Sequence, residues 1–193
     1  MERGVVSLRR IEGADGRVVL RDVSVRYGRR LALEAVSGEF PSGSMTAVVG
    51  ANGAGKSTLL MAIAEIVPLA RGSVIRGARQ RLAYLQQHAA IDREYPLTLA
   101  ELIALGGWRE FGPFRAAGAS LRARAGAAAE TVGLATKLAL SLRELSAGEL
   151  QRALFARLIL QDAAIILLDE PLAGIDAATA SLLFEQMMRW YEE

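Results

Sequence analysis

The chain has 193 residues, 52% of them hydrophobic, with no cysteine and a formal net charge of +2. That is enough chain for one domain with a substantial core, and the lack of cysteine excludes disulfides and thiolate metal sites, a composition that suits a reducing compartment. No uninterrupted apolar run approaches the roughly 18 residues of a membrane span, and the start, MERGVVSLRRIEGADG, lacks the apolar core of a signal peptide. A soluble chain is expected, with any membrane link made through a partner. The cations are lopsided: 21 arginines against two lysines, Lys56 and Lys137. This singles out Lys56, although Lys137 shows that the preference is not absolute. The eight arginines among the first thirty residues read as a solvated tail and strand face, not as a nucleic-acid or lipid surface.

Residues 1–16 are polar and read as a loose leader. RVVLRDVSVRY alternates as a strand does, with LEAVSGEF as its antiparallel neighbour. MTAVVG reads as a buried strand running into a glycine loop, and KSTLLMAIAEI as the amphipathic helix that follows. GSVIRG and RLAYLQQ read as further strands. From about residue 92 to residue 144 the texture changes to Ala, Leu and Arg, predicting a mostly helical insert interrupted by GGWREFGPFRAAG. AGELQRALFARLILQ predicts a helix, AAIILLDE a continuous apolar strand, and AATASLLFEQMMRWYEE a last helix. Strands alternating with helices, and apolar without interruption, predict an α/β fold with a parallel core sheet covered on both faces.

The loop Gly50, Ala51, Asn52, Gly53, Ala54, Gly55, Lys56, Ser57, Thr58 satisfies G-x-x-x-x-G-K-[ST]. Glycines let successive backbone N–H groups converge into an anion nest, and the helix that opens there adds its positive end. Lys56 supplies a compact charge for the outer phosphates, and Ser57 a hydroxyl for magnesium. The pattern predicts a nucleotide site. The base-reading N-K-x-D of GTPases is absent, so the type of nucleotide chemistry must be read downstream.

In IILLDEP, four apolar residues carry Asp169 and Glu170 to the carboxyl end of a strand, where open α/β sheets place ligands. Asp169 is suited to orienting magnesium, directly or through water. Glu170, one residue further out, is suited to polarising an attacking water as general base. LSAGELQR stands just ahead of that strand, and Ser146 with Glu149 three positions on has the spacing of a capping box.

With these three motifs in order, residues 17–193 resemble the ATP-binding subunits of ABC transporters. Their signature, L-S-G-G-Q, appears here as Leu145, Ser146, Ala147, Gly148, Glu149. The resemblance implies a P-loop NTPase fold with an N-terminal antiparallel β subdomain and an inserted helical subdomain, and ATP and Mg2+ as cofactors. Tyr27 matches the aromatic residue that stacks on adenine. Gln87, with Gln86 as the adjacent candidate, matches the glutamine that senses magnesium and the membrane subunit, giving Ser57, Gln87 and Asp169 as metal-facing residues. Asp176 closes the loop that crosses the dimer interface. The implied working unit is a head-to-tail pair in which each glycine loop faces the partner's Ser146 and Gly148, hydrolysing ATP at the cytoplasmic face of a membrane. The implied partners are a second copy, an integral permease and, indirectly, a metal-binding capture protein, with no nucleic acid. Within the family, the stretches from Gln87 to Trp108 and from Phe155 to Ala180 look most like importers of zinc and manganese, zinc above all. Trp108, Phe111 and Phe114 lie where the permease would dock, and His88 reads as a solvated loop residue.

Departures from the pattern set further expectations. Ala147 adds a methyl where backbone should approach phosphate, and Glu149 places a carboxylate near an incoming polyphosphate, which predicts weaker pairing. The resemblance implies a further strand and a histidine after it, which would lie past Glu193, so the sequence reads as truncated at the C-terminus, either a fragment of a longer product or a degraded copy. An alternative is therefore a module that binds nucleotide without turning it over. A soluble ABC ATPase of DNA repair or translation fits less well. Gly50 and Leu145 are only 95 positions apart, leaving no room for long coiled coils, and there is one ATPase unit.

Overall fold

The computed structural model describes residues 17–77, 80–87, 91–112 and 117–192. The predicted leader, His88 and Phe114 lie outside the described residues, as does the side chain of Phe111. The chain divides into two compact units. The first holds the described residues up to Gln87, residues 163–170 and the end of the last helix from Arg189; the second holds the described residues to Asp162 and then 171–188.

The first unit contains β1 (Val18–Tyr27), β2 (Arg30–Phe40), α1 (Lys56–Ile63), β3 (Arg71–Ile75), β4 (Leu82–Leu85) and β5 (Ile165–Leu168). β2, β1 and β3 form an antiparallel sheet in that order. Val18 and Leu20 point inward, and a bulge at Asp22 (φ 48°) resets the register before Val23 and Val25 are buried in turn. Two hydroxyls hold this irregular stretch: Asp22 N–H donates to Ser37 Oγ at 2.8 Å, and Ala35 N–H to Ser24 Oγ at 2.9 Å. The hairpin tip pairs Tyr27 with Arg30 and turns at Gly28, which presents both side chains at one end of the sheet.

β4 and β5 run parallel, Leu82 opposite Ile165 through Leu85 opposite Leu168, and every residue of β5 is buried. Ile165 and Leu167 join Val23, Val25, Phe40, Leu60 and Ile63 in one apolar core. The fold thus has an antiparallel β part and parallel core strands, as the sequence predicts. α1 stops at Ile63, three residues short of its predicted end, because Glu65 turns into the left-handed region at φ 59°.

One predicted strand is not formed. Met45–Gly50 belongs to no ladder, Val49 is 67% exposed, and the segment borders a groove of about 690 Å3 beside β2. An apolar run becomes a buried strand only when a neighbour satisfies its N–H and C=O groups. Among the described residues no strand lies alongside this one.

The second unit is built on helices: α2 (Leu99–Ala104), α3 (Trp108–Phe111), α4 (Ala119–Thr131), α5 (Ala147–Gln161) and most of α6 (Ala177–Glu192). α5 buries Ala153, Leu154, Phe155 and Ala156 and packs against α2 and α4, which contribute Leu102, Ile103, Leu121 and Ala125. A Ser/Thr-x-x-Glu capping box opens α2 (Thr98 with Glu101), the turn Leu142–Glu144 (Ser141 with Glu144) and α5 (Ser146 with Glu149). Phe155 is fully buried. Its truncation to alanine should lower stability by about 3–5 kcal/mol, seen as an earlier midpoint in urea unfolding.

Candidate functional site

The glycine loop ends at Gly55, whose φ of 97° favours glycine. A Cβ there would lie 2.8 Å from Ala32 O and 2.9 Å from the Leu33 side chain, so the loop lies directly on β2. α1 begins at the next residue with no side-chain cap and no acidic residue in its first turn. Its leading N–H groups and the positive end of its dipole are therefore left without an internal anion, unlike those of α2 and α5. Lys56 folds back, donating from Nζ to Gly50 O at 3.0 Å and to Ala51 O at 3.1 Å. Those bonds are made to the loop's own carbonyls, and an incoming phosphate offers the ammonium a stronger acceptor.

A cleft of about 630 Å3 opens over this helix start. Asn52, Gly53, Gly55, Lys56, Ser57 and Thr58 line one side; Tyr27, Arg30, Gln87 and Glu170 complete it. The size suits one small-molecule ligand. Gly50, Ala51 and Ala54 face the neighbouring groove instead, so the nine-residue loop is divided between two surfaces. Gln86 does not line the cleft. Arg30 and Ala32 do, and neither was singled out by a motif; the short turn that brings Arg30 opposite Tyr27 was the only available signal.

Asp169 and Glu170 leave β5 in different states. Asp169 is 5% exposed, its N–H continues the ladder to Leu85 O at 2.9 Å, and Tyr84 donates its hydroxyl to Oδ2 at 3.3 Å. Burial, with the Asp169 carboxylate next in weight, pushes the Tyr84 phenol well above its usual range and keeps it a neutral donor. Tyr84 is a supporting residue that the sequence did not reveal. Glu170 is exposed in the cleft at φ 47°, a left-handed conformation that a residue before proline adopts at a cost. Gln87 donates from Nε2 to Glu170 Oε2, leaving the other carboxylate oxygen open. The donor set of hydroxyl, carboxylate and amide oxygens around Ser57, Asp169 and Gln87 is hard and oxygen-only, the chemistry magnesium takes. Ser57 and Gln87 line the cleft; Asp169 does not, and is buried with the Tyr84 hydroxyl on its Oδ2.

Ser146, Gly148 and Asp176 belong to the second unit. Ser146 Oγ accepts the Glu149 N–H at 3.2 Å, and Glu149 Oε2 accepts the Ser146 N–H at 2.7 Å. The Ser146 hydroxyl also bonds the Glu149 carboxylate; Lys137 first, then the Ser146 N–H and hydroxyl, hold that carboxyl below its usual range. Asp176 Oδ1 accepts the Thr179 N–H at 2.9 Å and so caps α6, which holds its carboxyl below the usual range. A Cβ at position 148 would sit 3.3 Å from both Asp176 Oδ2 and Thr179 Oγ1, so the close approach of these groups favours glycine there.

The family model for ABC transporters matches residues 33–173. The chain is 38% identical over 168 residues to the zinc transport system ATP-binding protein TroB of Treponema pallidum, covering 84% of this chain and 63% of that one. It is 32% identical over 176 residues to the manganese transport system ATP-binding protein MntB of Listeria innocua, covering 88% and 73%. Over 173 residues it is 35% identical to the zinc import ATP-binding protein ZnuC of Halorhodospira halophila, covering 88% and 61%. The chain therefore spans less than two thirds of the length of two of these relatives. In fold it is similar to an ATP-binding cassette of an ABC transporter in its ADP conformation, with a TM-score of 0.76 at 20% identity, covering 92% of this chain and 77% of that one. A bacterial Atm1-family ABC exporter with ATP bound also gives a TM-score of 0.76, at 24% identity, covering 95% and 34%.

Gly55→Ala combines a left-handed penalty of about 1–2 kcal/mol with the contact to Ala32 O. It should lower the melting temperature and weaken nucleotide binding together, as measured by thermal unfolding and titration on the same samples.

Proposed function

The chain belongs to the ABC transporter family, and on that premise we propose that it is the ATP-binding, energy-coupling subunit of a metal-ion importer, with zinc as the favoured cargo. The observation that carries this is a single cleft that gathers an uncapped helix start, Lys56, Ser57, Gln87 and Glu170. The likeness to zinc and manganese transport ATP-binding proteins supports the choice of cargo. The metal is cargo of the membrane partner: among the described residues no cluster of His, Cys, Asp or Glu could hold one, and no helix is long and apolar enough to cross a membrane. We place the chain at the cytoplasmic face of the membrane, bound to a permease.

In this reading the adenine lies on Tyr27 at the hairpin tip, and the polyphosphate lies across the N–H groups from Gly53 to Ser57. Lys56 exchanges its bonds to Gly50 O and Ala51 O for phosphate oxygens. Ser57, Asp169 and Gln87 would hold magnesium, which would supply positive charge against the triphosphate. The free carboxylate oxygen of Glu170 takes a proton from water as the water oxygen bonds to the γ-phosphorus. The bond from that phosphorus to the bridging oxygen breaks, and ADP and phosphate leave. Gln87, donating to the other oxygen, fixes the direction of the base. A second copy completes the site head-to-tail, bringing its Ser146 hydroxyl, the N–H groups at the start of its α5 and its Asp176 to the γ-phosphate side.

Lys56→Ala should lose a charged hydrogen bond worth about 1.5–3 kcal/mol, at least a roughly tenfold drop in ATP affinity; unaltered affinity would refute the site. Glu170→Gln should retain ATP binding and lose phosphate release. Release that persists would place the base elsewhere. ATP bound by the unmutated chain with no release, alone or with permease, would favour the module without turnover.

A further inference from the structure

The Glu149 carboxylate closes the signature, three residues after Ser146, where it faces the approach of a polyphosphate if the head-to-tail reading above holds. Left alone it would repel that ligand. The structure shows that it is not left alone. Lys137 Nζ donates to Glu149 Oε1, while Glu149 Oε2 is occupied by the Ser146 N–H. Both oxygens thus have a partner, and the Glu149 side chain is 14% exposed against 41% for Lys137. The Lys137 bond, followed by those to Ser146, pushes the Glu149 carboxyl down to about 2, so it stays ionised and paired.

The lysine is held in place to do this. It ends the tight turn Ala135–Lys137, with its N–H on Leu134 O at 3.0 Å and its carbonyl accepting the Leu140 N–H at 2.9 Å. The following segment is tied to the start of α2 by Leu99 N–H to Leu140 O and Ala100 N–H to Leu138 O. Leu134 and Leu142, on either side, are fully buried. A second cation, Arg93, donates to Leu145 O just before the helix. The remaining carboxylate of this stretch, Glu144, is bound to the Ser141 N–H at 2.8 Å. Asp176 also stands close, its Oδ2 beside Gly148, and its Oδ1 accepts the Thr179 N–H; Lys137 pairs with the one carboxylate that lies within the signature.

We infer that Lys137 is a positioning residue of the ATP-sandwiched pair: by pairing with Glu149 and neutralising it, it keeps the first N–H groups of α5 open to the partner's polyphosphate. The inference rests on the head-to-tail reading and is set against the expectation that Glu149 by itself weakens pairing. Lys137 acts through Glu149, so its removal matters only while the carboxylate is present.

The test is a double-mutant cycle of Lys137→Met and Glu149→Gln in the full chain carrying Glu170→Gln, where ATP persists. Two quantities are read: MgATP affinity at protein concentrations too low for pairing, and ATP-dependent self-association by sedimentation. Lys137→Met should leave the first unchanged and weaken the second roughly tenfold or more. Lys137→Met with Glu149→Gln should restore pairing to the level of Glu149→Gln alone, and Lys137→Arg should retain it. Thermal unfolding of each variant separates misfolding from a specific loss. An equal loss with and without the carboxylate, or no loss, overturns the role of Lys137 alone. MgATP held without any pairing overturns it together with the head-to-tail reading, and no MgATP binding overturns the nucleotide site beneath both.

Discussion

A helix that begins without an anion of its own is the constraint on which the rest depends. α1 starts at Lys56 with no capping side chain and no acid in its first turn, so its leading N–H groups need an external partner. The same chain caps α2 and α5 with a reciprocal Ser/Thr and Glu pair. α4 also starts bare, at Gly118; what sets α1 apart is the glycine loop that precedes it, held by contact rather than by capping. Gly55, pressed against Ala32 O, fixes the loop on β2, and the core beneath it, from Leu60 and Ile63 to Ile165 and Leu167, holds the helix in place. Packing supplies the rigidity, and in the proposed function the ligand supplies the missing charge.

Around that start, Lys56, Asp169 and Glu170 each make a bond that phosphate or water chemistry can use. Lys56 rests on the loop's own carbonyls. Asp169 is buried under the Tyr84 hydroxyl, which leaves one of its oxygens uncommitted to that bond. Glu170 stands one residue further on in a strained conformation, directed by Gln87. Two adjacent carboxylates thus have separate environments, one enclosed and one open, as their separate tasks in the proposed reaction require.

Much of this was legible in the residues. The glycine pattern located the cleft, the run IILL located β5, and the Ser-x-x-Glu spacing gave the capping box at α5 to the residue. These signals are local, set by a few neighbouring positions. What the sequence hid depends on distant partners. Tyr84 and Asp169 are 85 positions apart, Gln87 and Glu170 83, and no spacing rule connects them. Lys137 and Glu149 are only 12 apart, yet a tight turn and a capping box lie between them, and no single periodicity crosses both. The reverse error occurred at Met45–Gly50, where apolar composition suggested burial but could not show whether a neighbouring strand was there to pair. Arg30 was missed because a hairpin tip has no motif of its own.

The central claim, that the amides from Gly53 to Ser57 are themselves the ligands of a polyphosphate, is tested most directly by following backbone amide resonances as MgATP is added to the isotope-labelled chain. The account predicts that Gly53, Gly55, Lys56 and Ser57 shift most and saturate along one binding curve. Saturable binding that leaves those four amides unmoved, or no binding at millimolar nucleotide, would contradict it.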